Sequence, residues 1–187
     1  MACDTLTRGR QEPCKNSVGG IKNIYFTDFG DFGTVTLTDD EITDMDGTFT
    51  AFKYEVKGNS SLEQTVNSSR ENGTTFYEQT LNLTLKKLSK EDNKELKLLA
   101  YGRPHVAVED YNGNVMVVGL EHGADVSGGT IVTGAAMGDL SGYTLTLTAM
   151  ETKPAVFMAH TSGQEVFNST DFAGLTGTIT ITEGTND

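Results

Sequence analysis

The chain has no tryptophan, only three histidines and two cysteines, and 14 basic residues against 26 acidic ones across 187 positions. Each shortage excludes something. A formal charge of −12 and a pI near 4.6 repel a phosphate backbone, which argues against reading or gripping nucleic acid. Without tryptophan, and with 8% aromatic residues, an aromatic platform for sugars or bases is poorly supplied. No run approaches the roughly 18 apolar residues that span a bilayer. The opening MACDTLTRGRQEPC lacks the apolar centre of a secretory signal, so Cys3 and Cys14 are expected as reduced thiols. Asn-x-Ser/Thr triplets at Asn59, Asn67, Asn72, Asn82 and Asn168 are the chance yield of a chain rich in Asn, Ser and Thr.

Reactive constellations are also missing. His105, His122 and His160 stand far apart, outside any zinc-ligand spacing. Glu121-His122 has no nucleophile motif beside it and reads as a solvated pair on a turn. The stretch Gly128-Gly129 to Gly134 lacks the Gly-Lys-Ser/Thr end of a phosphate loop, and there is no G-x-S-x-G elbow. The acidic run Asp39–Gly47 suggests calcium, but with Asp44, Asp46 and Gly47 at the third, fifth and sixth positions of an EF-hand loop, Ile42 would be first and Lys53 twelfth. It is therefore expected as an acidic loop. No enzymatic activity, metal or cofactor is expected.

What the chain does have is alternation. Tyr143–Met150 (YTLTLTAM) places Tyr143, Leu145, Leu147 and Ala149 on one side and three threonines on the other, the period of a half-buried strand. Val106–Tyr111 and Val115–Gly119 flank Asn112-Gly113, which predicts a tight type I′ hairpin. Ile21–Phe26, Thr34–Thr38, Thr48–Val56, Phe76–Lys87, Pro154–Met158 and Gly177–Thr182 are further strand candidates. In Thr48–Val56 the face carrying Phe52, Tyr54 and Val56 is the more apolar. Leu120–Asp139 is Gly-rich and weakly patterned, and Thr161–Gly174 reads as a loop. One helix is expected after Ser89, its N-cap, with Glu91 and Asp92 in the first turn. Leu96, Leu99 and Ala100 share a face, and Gly102 and Pro104 end it.

Residues 1–20 read as an N-terminal arm, 21–182 as one β domain and 183–187 as a short tail. Lys57–Thr75 is polar and long, an extended hairpin or projecting loop. The fold class is mainly β: an antiparallel β-sandwich or half-barrel with one short flanking helix and a long projecting loop. Aliphatic residues alternate with threonine in Thr34–Thr38, Thr80–Lys86, Thr144–Thr148 and Thr178–Thr182. This is either plain β-propensity or one wet hydroxyl face shared by several strands.

In its order of parts the chain resembles the tail tube proteins of long-tailed bacteriophages, related in fold to the type VI secretion tube protein. The parts are a strand pair with a long polar insertion (Lys57–Thr75), a long strand leading into one helix (Ser89–Tyr101), the Asn112-Gly113 hairpin, and a Gly-rich stretch ending in GYTLTLTAMETKPAVF (Gly142–Phe157). The resemblance covers roughly Ile21–Thr182. It implies a virion structural protein, assembled in the host cytoplasm. Copies of the chain would pair sheets edge to edge into a ring of six, and rings would stack into a conduit that DNA traverses without specific binding. Other tail or neck proteins would be partners, and no membrane is involved. Ser60, Leu62, Gln64, Val66, Arg70 and Phe76 are the implied inter-ring contacts; Thr36, Asn82, Thr84, Thr144, Thr146, Thr148 and Thr180 are the implied lumen-facing residues. Deleting Ser60–Gly73 is expected to leave a folded subunit that cannot build tubes. A neck, stopper or capsid-decoration protein, or a monomeric β-sandwich binding module, are the alternatives.

Overall fold

The computed structural model describes residues 8–12, 14–168, 172 and 178–184. In these residues the chain is mainly β. Twelve strands and one helix follow in order: β1 (Ile21–Thr27), β2 (Val35–Thr38), β3 (Glu41–Met45), β4 (Phe49–Glu55), β5 (Ser61–Ser69), β6 (Thr74–Lys86), α1 (Lys90–Tyr101), β7 (His105–Asp110), β8 (Val115–Val118), β9 (Asp125–Val132), β10 (Gly142–Glu151), β11 (Val156–Met158) and β12 (Ile179–Glu183).

They form two sheets, an eight-stranded one ordered β12-β4-β1-β7-β8-β11-β3-β2 and a four-stranded one ordered β5-β6-β10-β9. The larger sheet curls. Val35 and Leu37 at one edge and Ile179 and Ile181 at the other pack against a single core of Tyr25, Phe32, Ile42, Met45, Phe49, Val117 and Phe167. The sheet does not close, since β2 and β12 do not pair, so it is a half-barrel with that core inside.

The opposite face of the same sheet packs against the smaller one. Ile24, Phe26, Val56, Val106, Val108 and Val118 meet Leu81, Leu83, Leu147 and Ala149 in a second core. Central strands with apolar residues on both faces follow from this sharing. β4, for example, sends Phe49 and Ala51 into the first core, while Tyr54 and Val56, the residue just after the strand, pack into the second. Both faces of this strand are therefore covered, and Phe52, on the face expected to be the more apolar, is exposed.

The helix begins as its sequence predicts, with the Ser89 hydroxyl accepting from the Asp92 N–H at 2.9 Å. Leu96 is buried, and Leu99 closes on the second core. Two local expectations fail for identifiable reasons. Asp39–Gly47 is not a loop: Asp39 and Asp40 make the turn, and Glu41–Met45 is a strand with Ile42 and Met45 buried. The two left-handed residues that a type I′ turn requires are this Asp-Asp pair (φ 52° and 61°), where Asp tolerates the conformation. Asn112-Gly113 does not form such a turn, because only Gly113 has positive φ. There the Gly113 N–H reaches the Asp110 carbonyl and the Asp110 N–H the Asn114 carbonyl, a three-residue connection with a left-handed glycine. The Asp110 carboxylate holds it by accepting from the N–H groups of Asn112 and Asn114. The Gly-rich, weakly patterned stretch Leu120–Asp139 contains β9, an edge strand whose apolar pattern is diluted by Gly128-Gly129 and interrupted by a bulge opposite Thr146/Leu147.

Lys57–Thr75 is a regular hairpin rather than a loop. β5 pairs with β6 from Ser61↔Asn82 to Ser69↔Thr74. β10 accompanies β6 only from Lys86 to Tyr77, so the pairs beyond Tyr77 form an arm projecting past the sheet.

Candidate assembly surface

The solvent-facing side of the four-stranded sheet is built by register. Across β6 and β10, Thr84 stands opposite Thr144, Asn82 opposite Thr146 and Thr80 opposite Thr148. Ser61 and Glu63 flank them on β5, and Thr130 continues the row on β9. Because opposite residues share a face, the hydroxyls bond to one another. The Thr130 and Thr144 hydroxyls are hydrogen-bonded at 2.6 Å, those of Ser127 and Thr148 at 2.9 Å, and Thr146 donates to the Asn82 amide oxygen at 3.0 Å. The result is a half-exposed sheet face with its hydroxyls largely self-satisfied.

Five of the seven residues assigned to a lumen, Asn82, Thr84, Thr144, Thr146 and Thr148, therefore lie together. Thr36 and Thr180 do not join them: they sit on β2 and β12, the opposite edges of the other sheet. The alternation was the same in all four strands, but sheet membership is decided by long-range pairing.

The six residues assigned to inter-ring contact also divide. Ser60 is buried and accepts from the Thr84 N–H at 3.1 Å; Leu62 packs on the second core; Gln64 accepts from the Ala155 N–H at 2.8 Å. These three hold β5 in place. Val66, at the base of the arm, and Arg70 and Phe76 on it are exposed. Deleting Ser60–Gly73 would thus remove a whole strand with its core contacts, and the expectation of an intact subunit does not suit this architecture.

Both edges of the small sheet are open among the described residues, since β5 pairs only with β6 and β9 only with β10. These edges run nine and eight residues, longer than β12 and β2 at five and four. Each carries an exposed apolar side chain, Val66 on β5 and Ile131 on β9.

Two clusters of titratable groups lie away from this face. Glu121, His122 and Glu151 bring three potential metal-ligating atoms within 4.8 Å of one another, a convergence that Glu121-His122 alone did not disclose because Glu151 lies thirty residues on. The groups already serve one another. Buried Glu151 accepts from the N–H groups of Glu121 (3.1 Å) and His122 (2.9 Å) and faces His122 Nδ1 at 3.2 Å, while Thr152 donates to Glu121 at 2.7 Å. The cluster fastens the β8–β9 turn to the end of β10. In the half-barrel, buried Glu109 accepts from Lys22 Nζ (2.5 Å) and Asn23 Nδ2 (2.6 Å) beside the Tyr25 hydroxyl. Burial, and then the charge of Glu109, push the Tyr25 phenol well above its ordinary range.

The N-terminal arm is exposed and without regular structure in its described part, and Cys14 is a free, exposed thiol. Cys3 lies outside the described residues. The arm is tied down at Val18, whose N–H and carbonyl both bond the Asn112 side chain. No described helix is long and apolar enough to cross a membrane. No family model, curated protein or solved structure matches the chain.

Proposed function

We propose that this chain is a structural subunit of a virion, forming the stacked rings of a phage tail tube through which DNA is ejected. One observation carries the reading: among the described residues the four-stranded sheet is an even, strictly antiparallel set with both long edges unpaired. β5 and β9 run in opposite directions, so setting β9 of one copy beside β5 of the next continues the antiparallel alternation without a break. Open edges of this length favour pairing with another chain, and a closed ring removes them all.

Six copies, the number the resemblance implies, would give 6 × 4 = 24 strands. At about 4.8 Å per strand the circumference is about 115 Å and the untilted diameter about 37 Å, and strand tilt widens it. The hydroxyl face would line this barrel. It offers DNA many weak polar contacts and few cations, and six copies carry 6 × −12 = −72 formal charges, so the duplex is not held. Screening over about 10 Å at 0.1 M salt limits the repulsion to the vicinity of the wall.

The test is direct. Purified protein examined by negative-stain microscopy and sedimentation should form rings or tubes. Val66→Lys and Ile131→Lys place a charge on each open edge at exposed positions, and each should leave a folded monomer. A wild-type chain that stays monomeric at high concentration, or edge variants that assemble normally, would refute edge-to-edge closure.

A further inference from the structure

His105 opens β7 but its ring is committed to another segment. It is 4% exposed and lies between Phe29 (centroids 5.0 Å apart) and Phe32 (4.6 Å, rings 13° from parallel). Both nitrogens are in use. Nδ1 is 2.7 Å from the Gly119 carbonyl, an acceptor, so it carries the proton; Nε2 accepts from the Gly30 N–H at 3.0 Å. The geometry therefore assigns the neutral tautomer, with one proton on Nδ1. Gly30 lies in the turn segment Asp28–Gly33, whose internal bonds are long: Asp31 N–H to Asp28 at 3.3 Å and Gly33 N–H to Gly30 at 3.4 Å. The segment carries Phe32 into the half-barrel core, where it packs on Phe49 and Phe167.

We infer that His105 is an acid-operated latch: a proton on Nε2 turns the acceptor of the Gly30 N–H into a second donor and releases Asp28–Gly33 from the mouth of the half-barrel. The charged groups around the ring act in both directions. Asp31 on the segment and Glu151 at the end of β10 favour the imidazolium, as do the faces of Phe29 and Phe32. Arg103, which stacks on Phe29 with its guanidinium 5.0 Å from the ring centroid, opposes it. Burial outweighs the attractions and holds the imidazole below its ordinary 6.5 while the segment is closed. An opened segment exposes the ring and restores that value. Lowering the pH therefore favours the open form, and the opening constant rises by up to about tenfold per pH unit between 6.5 and the lower closed-state value, then levels off.

The experiment compares amide hydrogen exchange of Gly30 with that of Val106 in β7, in the intact protein, at pH 7.5 and pH 5, after correction for intrinsic exchange. The latch predicts that Gly30 loses protection at pH 5, by at most about thirtyfold for a ring that titrates at its ordinary value in the open form, while Val106 keeps its own. His105→Gln, which cannot titrate, should show no such acid response. Parallel behaviour of Gly30 and Val106 at both pH values, or an unchanged acid response in a folded His105→Gln protein, would overturn the latch. Neither outcome depends on ring formation.

Discussion

Glu109 illustrates how much one buried charge can organise. The residue stands opposite Asn23 in the β1–β7 ladder, and its carboxylate accepts from an amide and an ammonium and lies 3.5 Å from the Tyr25 hydroxyl. Glu109→Ala would strand the Asn23 amide in the half-barrel, at a cost of about 2–3 kcal/mol. For a chain of this length that lowers Tm by about 4–12 °C. Glu109→Gln keeps an acceptor and should cost less than half as much in the same thermal melt. Glycines separate in a similar way. A Cβ on Gly142 would stand 2.1 Å from the Leu85 carbonyl oxygen, whereas one on Gly128 would meet nothing within 4 Å. Gly142→Ala should cost about 1–3 kcal/mol or more through forced separation of β10 from β6. Gly128→Ala, inside the edge strand β9, should be neutral within about 0.5 kcal/mol in a denaturant titration.

Among the elements, α1 is the one whose beginning is most locally determined. Ser89 uses its hydroxyl to cap the Asp92 N–H and its carbonyl to accept from the Tyr143 hydroxyl, so the same residue starts the helix and ties it to β10. Only the first of these belongs to the side chain. Ser89→Ala should therefore cost about 1 kcal/mol, the ordinary value for a lost cap, and Ser89→Asp should recover most of it because the carboxylate also meets the helix dipole. A much larger loss on Ser89→Ala, measured by urea unfolding, would mean that the Tyr143 contact depends on the cap. The β5–β6 hairpin is legible in part from its residues: its polarity and length mark it as projecting. That Ser60, Leu62 and Gln64 are packed while Val66, on the same face as Leu62 and Gln64, and Arg70 and Phe76 are exposed depends on where the hairpin outruns β10 and the second core, which no local pattern encodes.

For the molecule as a whole, net charge and open edges pull in opposite directions. Copies carrying −12 each repel, and edge pairing with apolar contact at Val66 and Ile131 must overcome that repulsion. Ring formation should accordingly strengthen as salt rises from about 0.05 to 0.5 M, because screening shortens the reach of like charges. Sedimentation velocity at fixed protein concentration measures this. Association that weakens with salt would point instead to a contact held by opposite charges.

The strand over Tyr143–Met150, the cap at Ser89 and the mainly β class were all readable from neighbouring residues, because backbone period and helix capping act over a few positions. β3 and β9 were not readable: an acidic tight turn hid one and a pair of glycines the other, and each is a strand only because a partner supplies its ladder. Nor could local pattern tell that Thr144 and Thr84 face each other while Thr36 and Thr180 lie at distant edges, that Glu151 returns to Glu121-His122, or that His105 is clasped by a turn 75 residues earlier. Alternation states which residues share one side of a strand. Which strands become neighbours, and which edges are left open, is set by pairing across the chain, where free energy comes from contacts that no short stretch contains.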